Sequence, residues 1–343
     1  MSRSMRAVVL SGPGVCAVEE VPAPVAAPGE VVVDVERVGV CGTDVELFTG
    51  ELSYLQTGHS SYPLRPGHEW CGRVTGVGDG VDPAWLGRRV TGDTMLGDRV
   101  CRRCRRGRQH VCEERQEVGI RGGRHGALAE QLAVPVWSLH ELPDSVDAAL
   151  GALVEPGGNA WRAARAAGVA SGDRALVIGP GTIGLLSAMF LRAVGAEVHL
   201  LGVTEPSLDF ARGLGFAGAW TRDTLPDLPF DAVVDASTAP GSPALALDLV
   251  EPAGRIVCIG IAGTPSTIDT RTLLLEDVTA VGILSASPGL APTIAAYRTG
   301  AVDPRPLVAA TVGLAQVGAV LAGGRPEGSG AGPKVHVDPR LRD

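Results

Sequence analysis

The chain of 343 residues contains a single lysine, Lys334, and every other basic side chain apart from histidine is arginine. Schiff-base chemistry therefore has almost no candidate nucleophile. A surplus of positive charge is also missing. The formal net charge is −8, whereas a phosphodiester surface calls for a field of the opposite sign, so no nucleic-acid partner is expected. The start of the sequence has no charged segment followed by an apolar one, so no secretory signal is expected and the cytoplasm is the expected location. Long uninterrupted apolar runs are absent too. Ala175–Leu191 carries no charge but is short and has Gly179, Pro180, Gly181 and Gly184 in its middle. It reads as a buried strand, turn and helix, and no membrane association is expected. There is no internal repeat and no low-complexity linker. Hydrophobic residues make up 45% and charged residues 20% of the chain, which excludes wholesale disorder, and the length suits two domains. Seven cysteines in a reducing compartment read as metal ligands or buried thiols rather than disulfides.

The first part of the chain consists of short β-rich segments punctuated by glycine and proline, such as Arg6–Leu10, Glu30–Val38, Trp70–Val77 and Ala127–Val134. This is the texture of a barrel-like all-β unit. From about Leu153 apolar strands alternate with alanine-rich helical stretches, the rhythm of a doubly wound parallel α/β sheet. Strands are expected at Arg174–Ile178, Glu197–Leu201, Asp231–Asp235, Arg255–Ile259 and Thr279–Leu284. After about Pro304 short segments return, ending in a strand Lys334–Val337. The expected division is 1–152 with 304–343, and 153–303.

Strand Ala175–Ile178 runs into Gly179-Pro180-Gly181-Thr182-Ile183-Gly184 and then an apolar helix, Leu185–Ala193. In that setting Gly179 permits the tight turn, Gly181 lets the backbone approach a pyrophosphate and Gly184 lets helix and strand pack closely. The helix N-terminus offers free N–H groups to phosphate. The alternative is a strand-to-helix turn of a glycine-rich protein. About twenty residues on, where an acidic residue would bond the adenosine ribose, the chain reads Leu200-Leu201-Gly202-Val203-Thr204-Glu205. Gly202 occupies the acidic position, and no arginine follows closely to hold a 2′-phosphate. Glu205 bending back to the ribose favours NAD over NADP, without excluding the latter.

Two constellations have metal-ligand chemistry. Asp98, Cys101, Cys104 and Cys112 fall in one short stretch. A closed tetrahedral zinc site needs four ligands, and Asp98 precedes Cys101 by the step that separates Cys101 from Cys104. A lobe without metal and a basic surface loop are the alternatives. The second set is dispersed: Cys41, His68-Glu69 and Glu155. A catalytic zinc takes three such protein ligands and keeps a fourth position open, where it polarises an alcohol oxygen.

Gly39-Val-Cys-Gly-Thr-Asp44, Gly67-His-Glu69, the cysteine lobe, Glu155-Pro156 and Gly179–Gly184 together resemble the zinc-containing medium-chain dehydrogenase/reductase family, in its polyol and sugar dehydrogenase branch, over essentially the whole chain. The resemblance implies a GroES-like barrel carrying catalytic zinc, a Rossmann domain carrying the dinucleotide, and a homodimer or homotetramer. It also implies that Cys41, His68 and Glu155 bind the catalytic zinc with Glu69 as a neighbouring or exchanging ligand. Thr43 then starts the proton relay from the substrate hydroxyl, and Asp44 orients His68. The lobe departs from the family's four cysteines by having Asp98 first.

Glu155 as a ligand resembles sorbitol, glucose and threonine dehydrogenases more than ethanol-oxidising ones, which implies a polyol or sugar-like substrate. Gly67–Trp70 and the arginine-only, alanine-rich composition resemble actinobacterial enzymes that oxidise cyclitols or aminosugars in aminoglycoside biosynthesis. A threonine-type dehydrogenase needs a group for an amino-acid carboxylate, and none is placed by the sequence. A non-catalytic zinc- and nucleotide-binding protein is the alternative of another class. The loop Glu51–Tyr62, with Tyr54, His59 and Tyr62, and the pair Arg121 and His125 read either as substrate contacts or as surface. Cys71 and Cys258 read as buried thiols, and Cys16 has no reading.

Overall fold

A computed structural model describes residues 3–342. They fall into two compact units, one made of residues up to Glu155 with Val308–Gly330 and the segment from Lys334, the other of Pro156–Leu307 with Ala331–Pro333.

The first unit is built around Glu30–Gly39, a strand of ten residues with five valines. β-branched side chains suit a pleated surface covered on its faces. This strand pairs antiparallel with Glu69–Val77 along one edge and with Gln131–Pro135 and Lys334–Val337 along the other. The sheet continues through Arg89–Gly92 to Leu139–Glu141 and, at its other end, to Val308–Val312. Val31, Val33, Val35, Leu47, Trp70, Leu128 and Leu132 form its buried core. Each such side chain contributes roughly 1.5–3 kcal/mol by leaving water. The expected strand Ala127–Val134 begins later, at Gln131, because Leu128 already spends its carbonyl on Val8 N.

The second unit is a parallel sheet of six strands in the order Gly218–Trp220, Glu197–Leu201, Arg174–Ile178, Phe230–Asp235, Val250–Cys258 and Thr279–Gly282. This is the doubly wound order with the first strand in the middle. Four of the five residues of Arg174–Ile178 are buried, as parallel strands covered on both faces require. Helix Thr182–Ala193 buries Gly184 through Leu191 without a break. Of the six strands, five lie where the apolar runs place them. Gly218–Trp220 was not anticipated, since three residues with one buried side chain carry no periodicity. Among the described residues no helix is long and apolar enough to cross a membrane.

Candidate active site

Cys41 is the N-cap of helix Gly42–Thr49, and Asp44 closes a capping box by accepting the Cys41 backbone N–H on Oδ2 at 2.9 Å. The other carboxylate oxygen of Asp44 accepts Gly67 N–H at 3.0 Å and lies 3.6 Å from His68 Nδ1. One buried carboxylate thus ties the helix start to the segment that enters strand Glu69–Val77. Gly67 adopts φ +100°, and a Cβ there would meet Leu128 N at 2.6 Å, so only glycine brings the chain into this turn.

Ligand atoms of Cys41, His68 and Glu69 lie within 4.8 Å of one another. Burial opposes a charged imidazole at His68, but the electrostatic pull of Asp44 and Cys41 beside it outweighs this and holds its pKa well above the usual range. A thiol, an imidazole and a carboxylate are the donor set of a catalytic zinc site, and their spacing fits one ion. Glu155 is buried in the first turn of helix Val154–Ala167 and stands outside this group of three. Thr43 is half-buried one residue beyond Gly42.

The sequence alone missed the partner of Glu69. Lys334 is 3% exposed and its Nζ donates to both carboxylate oxygens at 2.7 and 2.9 Å, and to Val40 O at 2.9 Å. Burial alone pulls its pKa down, yet the negative charge of Glu69 raises it overall. The Glu69 carboxylate fits because residue 39 is glycine: a Cβ there would stand 2.1 Å from Glu69 Oε2. The signal available was the solitary lysine of the chain, in a strand whose alternate residues face inward.

In the cysteine lobe, ligand atoms of Asp98, Cys101, Cys104 and Cys112 all lie within 4.8 Å of one another. Asp98 Oδ1 accepts Val100 N–H at 2.9 Å and Cys101 N–H at 3.0 Å, and these bonds hold its pKa at about 2. Cys104 N–H points at Cys101 Sγ, 3.4 Å away, while Cys101 and Cys112 Sγ are 3.8 Å apart. Gly97 makes room, since a Cβ there would meet Cys104 Sγ at 2.6 Å. Three thiols and a carboxylate at this spacing fit a closed tetrahedral site.

In the dinucleotide motif Gly179 has φ +93° and its N–H donates to Leu201 O at 2.9 Å. Gly181 is the N-cap of helix Thr182–Ala193 and has nothing within 4 Å of where a Cβ would stand, leaving its backbone open to a ligand. Gly184 is pinned, since a Cβ would lie 1.9 Å from Gly179 O. Pro180 packs toward Gly202, and Thr182 and Ile183 open the helix. Glu205 begins the helix Glu205–Gly213, and its carboxylate accepts Arg212 Nη1 at 3.1 Å.

Tyr54 donates to Glu117 at 3.0 Å and accepts from Arg115 at 2.9 Å, with Arg121 over its ring. His59 is exposed beside Thr57, Tyr62 donates to Leu47 O, and His125 is at the surface. Cys71 is fully buried, and burial pushes its thiol up to about 12. Cys258, expected buried, is only half so, because the strand's last residue lies at the sheet's carboxyl edge. Cys16 packs against the barrel core. All seven cysteines are free.

The family descriptions "Alcohol dehydrogenase GroES-like domain" and "Zinc-binding dehydrogenase" match residues 27–144 and 182–298. Over 275 residues the chain is 32% identical to the L-threonine 3-dehydrogenase of Edwardsiella ictaluri (strain 93-146), covering 77% of this chain and 79% of that one. A crystal structure titled as a zinc-binding dehydrogenase of Sinorhizobium meliloti 1021, bound to NADP, superposes with a TM-score of 0.88 at 26% identity, over 98% of this chain and 100% of that one. A protein described as a short chain alcohol dehydrogenase of Escherichia coli CFT073, complexed with NADH, superposes with a TM-score of 0.89 at 24% identity over 98% and 100% of the two chains, a likeness of fold.

Proposed function

The chain belongs to the zinc-dependent medium-chain dehydrogenase/reductase family, an alcohol-dehydrogenase type of oxidoreductase, and we propose that it moves a hydride between a secondary alcohol of a polyol, sugar, cyclitol or aminosugar and a nicotinamide dinucleotide. The observation that carries this reading is the convergence of Cys41 and His68-Glu69 from separate segments to within 4.8 Å. Cys41 and His68 would hold the catalytic zinc together with Glu69, which lies beside them, or with Glu155, which the sequence resemblance implies but which stands outside the group, and Asp98, Cys101, Cys104 and Cys112 would hold a structural one. The dinucleotide belongs to the unit containing Gly179–Gly184, with Gly202 and Glu205 at its ribose end.

Zinc supplies the charge that favours loss of the substrate's hydroxyl proton, and the dinucleotide supplies the hydride acceptor. The chain's own residues do the rest. The Thr43 hydroxyl would take the substrate's proton while releasing its own to solvent. Asp44 fixes both Cys41 and the approach to His68 through the bonds described above, so two ligands share one anchor. Lys334 neutralises Glu69 in a place where an unpaired carboxylate would be costly.

The similarity to L-threonine 3-dehydrogenase supports a second reading, in which the alcohol lies beside an amino group. We also infer a homodimer or homotetramer. The edge strand Thr279–Gly282 is largely uncovered, and Ile261, Leu274 and Leu275 are 71%, 75% and 77% exposed in the same unit. Light scattering at one-chain mass would refute this. Activity is tested by following reduced nicotinamide absorbance with each dinucleotide and a panel of polyols, cyclitols, aminosugars and L-threonine. A polyhydroxylated substrate is expected to respond, and turnover of threonine alone would give the second reading precedence.

A further inference from the structure

In doubly wound dinucleotide sites the end of the second strand decides between the two nicotinamide dinucleotides. An acidic residue there bonds the free ribose 2′-hydroxyl, and a nearby arginine takes a 2′-phosphate. Here the second strand of the unit is Glu197–Leu201, and the residue after it, Gly202, has no carboxylate. None fits without movement: a Cβ at Gly202 would meet Pro180 Cγ at 2.8 Å and Leu208 Cδ2 at 3.0 Å. The acidic residue closest in sequence, Glu205, already accepts from Arg212, which is bonded in addition to Asp209 at 2.6 Å and to Ala219 O at 3.0 Å. Each member of that exposed pair already has a partner, whereas the site's own acidic position is empty of one.

An arginine follows at this edge, on the turn that leaves the strand sequence periodicity missed. Gly218–Trp220 runs parallel to Glu197–Leu201 with Leu201 opposite Trp220, and Gly202 N–H donates to Trp220 O at 2.9 Å. Two residues beyond Trp220, at the same carboxyl edge of the sheet, is Arg222. It is twenty positions from Gly202 in sequence, yet this pairing makes the two near neighbours. The turn that carries it is fixed by Thr221 N–H to Thr224 Oγ1 at 3.1 Å and Leu225 N–H to Thr221 O at 3.0 Å. Arg222 is exposed, and among the described residues its guanidinium has no hydrogen-bond or ion-pair partner. A guanidinium matches a phosphate with two parallel donors and gains far less from a hydroxyl.

We propose that the ribose end of this site reads a 2′-phosphate through Arg222, so that the chain prefers NADP(H) to NAD(H). This rests on the dinucleotide-site reading above and runs against the lean toward NAD that Glu205 suggested. Titration calorimetry on the whole protein with 2′,5′-ADP and with 5′-AMP isolates the phosphate, and NADP⁺ and NAD⁺ repeat the comparison on whole dinucleotides. The 2′-phosphorylated ligand of each pair is expected to bind more tightly. Arg222→Gln is expected to weaken it by about 10- to 100-fold, the value of charge-assisted hydrogen bonds, while 5′-AMP is little affected. Adding salt should weaken the 2′-phosphorylated ligands more than their partners. Equal or tighter binding of 5′-AMP and NAD⁺, or an Arg222→Gln variant that keeps its preference for 2′,5′-ADP, overturns the proposal and leaves the dinucleotide site standing. Failure of all four ligands to bind overturns both.

Discussion

The two ligand clusters differ in how the chain assembles them. Asp98, Cys101, Cys104 and Cys112 lie within one irregular loop, so the local turns bring them together: two backbone N–H groups bond Asp98, and a third points at a thiol. Cys41 and His68-Glu69 come from a helix start and a strand start that the barrel fold must join, and the group is finished by Lys334 from 265 positions further along. The first arrangement suits a site that holds a loop in shape. The second places its donors where buried polar groups are hydrogen-bonded to one another.

Predictions that sharpen this contrast begin with the dispersed cluster. Cys41→Ala or His68→Ala should lower kcat by about 10³-fold or more, the loss of several kcal/mol of charge stabilisation, with the circular dichroism spectrum retained. Full activity in either variant would remove it from the proposed site. Thr43→Val should cost about 10²- to 10⁴-fold in rate, the range for a positioned proton-transfer group, with zinc content unchanged. An unchanged rate would take Thr43 out of the relay. Lys334→Met strands the Glu69 carboxylate, so denaturant unfolding should show a loss of about 3–5 kcal/mol. A loss below about 1 kcal/mol would mean that the pair is dispensable. The smallest effect on turnover is expected in the lobe. Asp98→Ala should take zinc toward one ion per chain by elemental analysis, with kcat close to that of the parent. Two ions retained would show that Asp98 is no ligand.

How much of this was legible in the sequence follows from the range of the forces involved. The glycine turn at Gly179–Gly184 is local, and each glycine does there what the motif requires, from the positive φ of Gly179 to the backbone crowding at Gly184. The lobe was readable because spacing and contact coincide. The apolar runs marked the long strands, whereas Gly218–Trp220, held by pairing with its neighbour, left no pattern. With that strand went the position of Arg222 beside Gly202. The Glu69–Lys334 pair was hidden for the same reason, since antiparallel pairing of Lys334–Val337 with Glu30–Gly39 is what delivers the lysine. The solitary lysine marked the residue without naming its partner.

Two clusters of different construction are expected to hold metal, one for chemistry and one for shape. Zinc per chain, measured on the purified protein together with His68→Ala and Asp98→Ala, tests this most directly. Two ions are predicted in the parent, one for each cluster, and each variant should lose one, with only His68→Ala losing turnover. A parent that is fully active without zinc, or variants that both keep the parent's zinc, would rule out metal in one or both clusters.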